Sequence, residues 1–225
     1  MLKRTYFYHI PKTGGTSINF SFFSLSGEEP QKVYDCLNGK PSQSHCFNGH
    51  IYVRDQLSII ESTHYHYGFS HTPSYEINLP ADTFTFCCLR DPIDRLVSIY
   101  KALMWRKSNN EHRLGHKWLG NNFEDFLKKV PKYFMMGHLH MFSQEFNVNE
   151  SIENIMNCDH IIFNENFNNG IHLLQDKLNV TLPILKENVS HYDFAPSVSE
   201  LDQILSLLCD EINFINQVKK LTGNP

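Results

Sequence analysis

The sequence predicts an α/β fold, a three-layer sandwich in which helices cover both faces of a central parallel sheet. Short apolar, β-prone segments alternate with amphipathic helical segments, as in sheets whose parallel strands are joined by helical crossovers. At two of the strand-to-helix junctions, residue types that bind phosphate follow the strand. With 225 residues, 41% of them hydrophobic, the chain is predicted to form one domain, residues 1–225, around a substantial core.

Charge and hydropathy exclude two classes of partner. The formal net charge of −4 gives no electrostatic reason to expect nucleic acid. No apolar stretch approaches the roughly 20 residues that span a bilayer, so no membrane partner is expected. Because Met1 lies close to the first predicted strand, we expect neither a signal peptide nor an anchor, and a cytoplasmic location.

The elements are predicted in order from hydrophobic periodicity. Strands are predicted where β-branched and aromatic residues cluster, at residues 4–10, 64–69, 83–89 and 160–163. Helices are predicted at residues 16–25, 54–62, 92–106, 122–130, 150–156, 168–178 and 197–221. Two polar segments are expected to be loops, residues 27–50 and 108–120.

The first strand ends in a P-loop-like, phosphate-binding segment, Pro11-Lys12-Thr13-Gly14-Gly15-Thr16-Ser17. Glycines let backbone N–H groups converge on an anion, and the start of a helix adds positive potential. Lys12 supplies a full charge, and the hydroxyl groups supply further donors. Because Lys12 precedes both glycines, the segment is not a Walker A sequence, in which lysine follows the second glycine. The alternative is a glycine turn that merely caps a helix.

The second junction follows the predicted strand at residues 83–89. Arg90 ends the strand, Pro92 suits the first turn of a helix, and Ser98 lies on that helix. The arginine offers a planar fork of donors and the serine one hydroxyl, which suits a phosphate at the carboxyl edge of a sheet. The alternative is an ordinary helix start, in which Asp91 and Asp94 interact with the helix dipole.

Together, the two segments resemble the nucleotide-binding motifs of one enzyme family. Residues 11–17 resemble the 5′-phosphosulfate loop of sulfotransferases that use 3′-phosphoadenosine 5′-phosphosulfate (PAPS), and residues 89–100 resemble their 3′-phosphate-binding motif. Looser likeness at Asp159 to Phe167 and at Asn188-Val189-Ser190 extends the resemblance over most of the chain. The chain resembles the carbohydrate (heparan sulfate 2-O-type) sulfotransferases, in a short soluble form.

This resemblance implies a sulfotransferase fold and transfer of a sulfuryl group from PAPS to a hydroxyl of a small-molecule natural product or a carbohydrate. The product would be 3′-phosphoadenosine 5′-phosphate (PAP), and no metal is implied. Lys12 and the backbone of residues 13–17 (Thr13, Gly14, Gly15, Thr16, Ser17) would hold the 5′-phosphate, and Arg90 and Ser98 the 3′-phosphate. A kinase-like P-loop enzyme and a non-catalytic nucleotide-binding module remain the alternatives.

The acceptor hydroxyl requires a general base with a pKa near neutrality, which favours histidine or a desolvated carboxylate. Among 13 histidines, a cluster precedes the second phosphate strand, and the family's Gly-His-type segment falls in this region. We predict His71 as the base and His66 as the second candidate. His138 and His140 are expected to line the acceptor pocket.

Overall fold

The computed structural model describes residues 3–39, 44–62, 64–111, 115–185 and 192–224. Within these residues six strands form one sheet in the spatial order second, third, fourth, first, fifth, sixth. The strands are β1 (Thr5–Tyr8), β2 (Ser44–Phe47), β3 (His50–Arg54), β4 (Tyr67–Ser70), β5 (Phe84–Leu89) and β6 (His160–Phe163). The β2–β3 pair is antiparallel and every other pair is parallel.

Helices occupy most of the remaining described chain. In order they are α1 (Gly15–Phe23), α2 (Pro30–Asn38), α3 (Leu57–Ile60), α4 (Pro92–Ser108), α5 (His116–Leu119), α6 (Phe123–Lys129), α7 (Lys132–Met135), α8 (Gly137–Phe142), α9 (Val148–Ile155), α10 (Phe167–Leu178), α11 (Val198–Leu207) and α12 (Cys209–Leu221). In the part of the chain that the structure describes, no helix has the length and apolar character needed to cross a bilayer.

Alternating side chains of the sheet build two cores, one on each face. Phe7, Phe86 and Cys88 point to one face, where they are buried against α1, α2 and α10. Cys87 and Leu89 point to the other face and pack against α4, α6, α8, α9, α11 and α12. Helices therefore cover both faces, and the predicted three-layer α/β sandwich is confirmed, with a sheet that is mixed at the β2 edge.

Two of the expected loops contain regular structure. Residues 27–50 include α2 and the strand β2, and the hairpin continues into β3. Pro30 occupies the first turn of α2, and Val33 and Leu37 bury its inner face, so the apolar spacing outweighs the turn-like composition. In residues 108–120, α5 buries Leu119 against the core. The short helices α7 and α8 were not predicted, and Asn188-Val189-Ser190 lies outside the described residues.

Candidate active site at the carboxyl edge of the sheet

The strand register brings the candidate residues to one edge of the sheet. Tyr8 at the end of β1 pairs with Ser70 of β4, so the next residues, His9 and His71, are neighbours. The pairing of β1 with β5, and of Leu89 with Phe163 on β6, places the β5 and β6 ends beside the same loop. Parallel strands end at one edge, which is where ligands bind in open α/β sheets.

The loop between β1 and α1 is held in an unusual backbone conformation. Lys12 has φ of 70° and Gly14 has φ of 96°, both in the left-handed region. The carbonyl of Thr13 accepts hydrogen bonds from the Asn164 amide at 3.1 Å and from the Cys88 thiol at 2.9 Å. The Thr13 hydroxyl donates to Ile10 O at 2.9 Å, so buried Thr13 serves to shape the loop.

Glycine is required by contact at the start of α1. A Cβ atom at Gly15 would overlap the imidazole of His9, and one at Gly14 would lie 2.7 Å from the amide nitrogen of Asn164. The Lys12 carbonyl accepts from Arg90 Nη1 at 3.3 Å, which ties the first loop to the second junction. Burial, together with Arg106 and Arg90, lowers the pKa of the Lys12 amine to about 8.

Both predicted phosphate segments line one cleft of about 810 Å³. Among the described residues of its wall, Lys12, Arg90 and Lys101 contribute positive charge, against one carboxylate, Asp94. Ser98 lies on the same wall, and the other predicted loop residues there are Gly14, Gly15, Thr16 and Ser17. The cleft is therefore positively charged in a chain whose net charge is −4.

Apolar side chains also line the cleft. They include the aromatic rings of Phe167, at the start of α10, and Phe194, which precedes α11. Leu185 and Pro196 line it as well. The cleft thus combines charged groups for anions with apolar and aromatic groups for a flat ring system.

The structure places His71 beside the phosphate loop. Its Nδ1 lies 2.5 Å from the carbonyl oxygen of His9, and the two imidazole rings are 4.4 Å apart. A carbonyl only accepts, so Nδ1 carries the proton and Nε2 of the neutral ring presents a lone pair. Burial lowers the pKa of His71 below its ordinary value, although the hydrogen bond to His9 acts in the opposite direction. The lowered pKa favours the neutral ring at neutral pH.

The structure does not bring His66 to this edge. His66 precedes β4, at the amino end of the strand whose carboxyl end leads to His71. Its Nδ1 accepts a hydrogen bond from Ile51 N at 3.0 Å, so its ring is bound to the backbone of β3. His138, expected in an acceptor pocket, is fully buried, whereas His140 is partly exposed and lies 3.2 Å from the Tyr75 hydroxyl.

Two residues of the site were missed by sequence reasoning. His9 lines the cleft and was not singled out, although it directly precedes the loop, and burial holds its pKa well below the ordinary value. Asn164 follows β6 and bonds the Thr13 carbonyl. Its position directly after a buried strand was the available signal, since parallel strands end at a common edge.

The site and the fold define a class: an α/β sandwich with a positively charged cleft at the carboxyl ends of its central strands. Residues 3–220 match the model of the family described as the sulfotransferase family. The chain therefore belongs to the sulfotransferase family, and the family that the sequence motifs predicted is confirmed. No curated protein matches the chain. The match does not distinguish acceptor types, so the likeness to the heparan sulfate 2-O type stays a prediction.

The described residues contain no group of three or more His, Cys, Asp or Glu side chains placed to hold a metal ion.

Proposed function

We propose that this sulfotransferase takes its sulfuryl group from PAPS and transfers it to a hydroxyl of a small natural product or sugar. The main support is that Lys12, at the first junction, lines the same cleft as Arg90 and Ser98, at the second junction. Two separate clusters of anion-binding groups in one cleft suit a nucleotide with phosphates at both ends. ATP and AMP lack the 3′-phosphate and would leave the second cluster without its ligand.

Details of the cleft fit such a nucleotide. Nε of Arg90 is buried and has no hydrogen-bond partner among the described residues, so a donor remains for an anion. The overlap of a Gly15 Cβ with His9 shows how closely the loop backbone is packed around its glycines. Phe167 and Phe194 supply aromatic rings in the same cleft for contact with an adenine ring.

Each charged residue then has a role. When bound, PAPS supplies an activated sulfuryl group, and its transfer develops negative charge on the 5′-phosphate. Lys12 and the backbone of the loop stabilise that charge, and fixed donors of this kind often contribute most to catalysis. Arg90 and Ser98 hold the 3′-phosphate, with the fork of the guanidinium matched to its oxygens.

We propose His71 as the general base that takes the proton of the acceptor hydroxyl. Its support is the tautomer: the hydrogen bond from Nδ1 to His9 O directs the Nε2 lone pair away from that carbonyl. The second histidine at this edge, His9, stacks on Phe7 with centroids 5.1 Å apart and packs against Gly15, which restricts its ring.

Calorimetric titration of the wild-type protein tests the donor. PAP should bind at least tenfold more tightly than AMP or ATP, since a charge-assisted phosphate contact contributes about 1.5–3 kcal/mol. Equal affinity for the three nucleotides would contradict the assignment. Incubation with PAPS and candidate acceptors, followed by mass spectrometry, should then show an added SO3 on one of them.

Two histidine variants test the base. His71→Ala should lower turnover about 10²- to 10⁴-fold while leaving the PAP dissociation constant unchanged, because the base acts only on the acceptor. His66→Ala is the matched control, since it removes a histidine from the other end of the same strand, and it should keep its activity. An unchanged rate in His71→Ala would reassign the role to His9.

A further inference from the structure

A buried network of polar side chains lies behind Arg90. His138, Arg95 and Glu211 are all fully buried. Oε1 of Glu211 accepts hydrogen bonds from N and Nδ1 of His138 at 3.2 and 2.7 Å, and from Arg95 Nη2 at 3.1 Å. Buried ion pairs lose their hydration and contribute little net stability, so this network calls for an explanation other than stability.

The network ends on the backbone of the second phosphate junction. The backbone N–H of Arg90 donates to His138 Nε2 at 3.3 Å. Because an N–H only donates, Nε2 must be unprotonated, so Nδ1 carries the single ring proton and donates to Glu211. The result is a continuous chain from the carboxylate on α12, through the imidazole on α8, to Arg90, the residue that follows β5.

Three charged groups face the His138 ring: Glu211 from α12, Arg95 from α4 and Glu165 from the turn after β6. Burial lowers the pKa of His138, and the two carboxylates oppose that shift. The contact with Arg90 N favours the neutral ring, with the negative charge on Glu211 paired to Arg95.

Arg95 fixes the other side of the network. Its Nη2 also donates to the carbonyls of Phe134, at 3.1 Å, and Met135, which lie at the end of α7. A Cβ atom at Gly137 would lie 2.9 Å from Arg95 Nη1, so the glycine allows α8 to approach the guanidinium. Elements α4, α7, α8 and α12 therefore meet around the Arg95–Glu211 ion pair, which restricts the position of the His138 ring.

We propose that His138 and Glu211 are positioning residues, which hold the backbone of Arg90 so that its guanidinium meets the 3′-phosphate of the donor. The inference rests on the proposed function, because it takes that phosphate as the ligand of Arg90. The parallel ladder between β5 and β6 ends at Leu89 and Phe163, so Arg90 N–H lies beyond it. His138 supplies the missing acceptor, and small displacements of a binding group weaken its contacts strongly.

A matched pair of variants separates positioning from packing. In His138→Asn, the amide retains a donor near the Nδ1 position but loses the acceptor at Nε2. In His138→Gln, the longer amide places an oxygen within reach of Arg90 N–H. Both changes disturb the same buried site, and thermal unfolding of each variant measures that disturbance.

The readout is the ratio of the dissociation constants of AMP and PAP, which isolates the 3′-phosphate contact. His138→Asn should reduce this ratio about fivefold to tenfold, the size expected for one lost hydrogen bond, and His138→Gln should restore most of it. A purely structural role would weaken both nucleotides equally and leave the ratio unchanged. An unchanged ratio in His138→Asn, with the wild-type preference for PAP intact, would overturn the positioning role alone. A wild-type protein without that preference would overturn the proposed function together with this inference.

The wild-type protein supplies a second test that does not depend on a variant folding. Long-range ¹H–¹⁵N spectra of the imidazole should show His138 as the neutral Nδ1–H tautomer. A ring protonated at Nε2 would overturn the proposal, because that nitrogen would have no lone pair for Arg90 N–H.

Discussion

The junction between β1 and α1 and the junction between β5 and α4 open onto the same cleft, yet they use their backbone groups differently. Gly14, the N-cap residue of helix α1, has φ of 96° and no side chain that could cap the helix. At α4, the Asp91 side chain accepts from the backbone N–H groups of Ile93 and Asp94, at 2.9 and 3.0 Å. Pro92 has no N–H to satisfy.

The backbone N–H groups of the two residues just before α4 are also hydrogen-bonded within the protein. Arg90 N–H donates to His138, and Asp91 N–H donates to Glu165 Oε1 at 2.6 Å. The second junction thus uses its backbone donors within the protein and presents side chains to the cleft, whereas the first is shaped by glycines and a left-handed lysine. We therefore expect the first motif to be sensitive to an added side chain and the second to the loss of particular side chains.

The largest effect is expected at the single charge of the first junction. Lys12→Met should lower turnover about 10²- to 10³-fold, because it removes a preorganised charge from the oxygen where negative charge develops. Lys101→Met is the control, since it removes a positive charge from the wall of the same cleft. Turnover with PAPS is measured for both variants, and equal losses would show that only the net charge of the cleft matters.

Gly15→Ala tests whether the first junction acts through its backbone. The new Cβ overlaps the His9 ring, so the loop must shift, and the affinity for AMP and PAP should fall about tenfold or more. Gly170→Ala in α10 is the control, because its Cβ would lie 2.7 Å from Ile162 of β6 and would cost stability away from the phosphate loop. Equal nucleotide affinities for the two variants in calorimetry would show that the loop tolerates a side chain. They would contradict the expected difference between the two junctions.

The sequence predicted both junctions because their signals are local. A strand, a glycine pair and a lysine determine the first, and a strand followed by Arg90 and Pro92 determines the second. The contact of Asn164 with Thr13 depends on β6 packing beside β5, which no local pattern reveals. Glu211 carried a weak signal, since it falls on the buried stripe of α12 with Phe214 and Ile215, where a carboxylate is unexpected.

The sheet edge was missed for a related reason. Strand β2 is only partly buried, so it lacks the continuous apolar run that identified β5. A short turn through Asn48 and Gly49, both with positive φ, connects β2 to its antiparallel partner β3. Composition suggested a loop there, and tertiary pairing overrode that local preference.

The lowered pKa of Lys12 predicts a pH dependence with opposite signs for binding and stability. As pH rises through about 8, Lys12 loses its charge and the affinity for PAP should fall severalfold. Between pH 8 and the ordinary value of 10.5, the unfolded chain holds a proton that the folded protein has released. The contribution of Lys12 to the free energy of unfolding therefore increases as pH rises through this range. Below pH 8 the buried charge opposes folding.

Lys12→Met should therefore unfold at a higher temperature than the wild type at pH 7, although it loses activity. The difference in melting temperature should shrink as pH approaches 10. Lys12→Arg should bind PAP without the decline near pH 8, because the guanidinium keeps its charge. A wild-type affinity that is flat from pH 7 to 9.5 would place the pKa of Lys12 above that range.

The smallest effect is expected at the cap of the second junction. Asp91→Ala removes an acceptor used by two N–H groups and should lower the free energy of unfolding by about 1 kcal/mol. Asn122→Ala removes a comparable cap, which accepts from Asp125 N at 2.9 Å at the start of α6. Urea denaturation should give similar losses for both. PAP affinity should fall about twofold to threefold only in Asp91→Ala, because that cap lies beside Arg90. If the cap fixes the junction, Asp91→Asn should recover the PAP affinity, because asparagine also caps helices well.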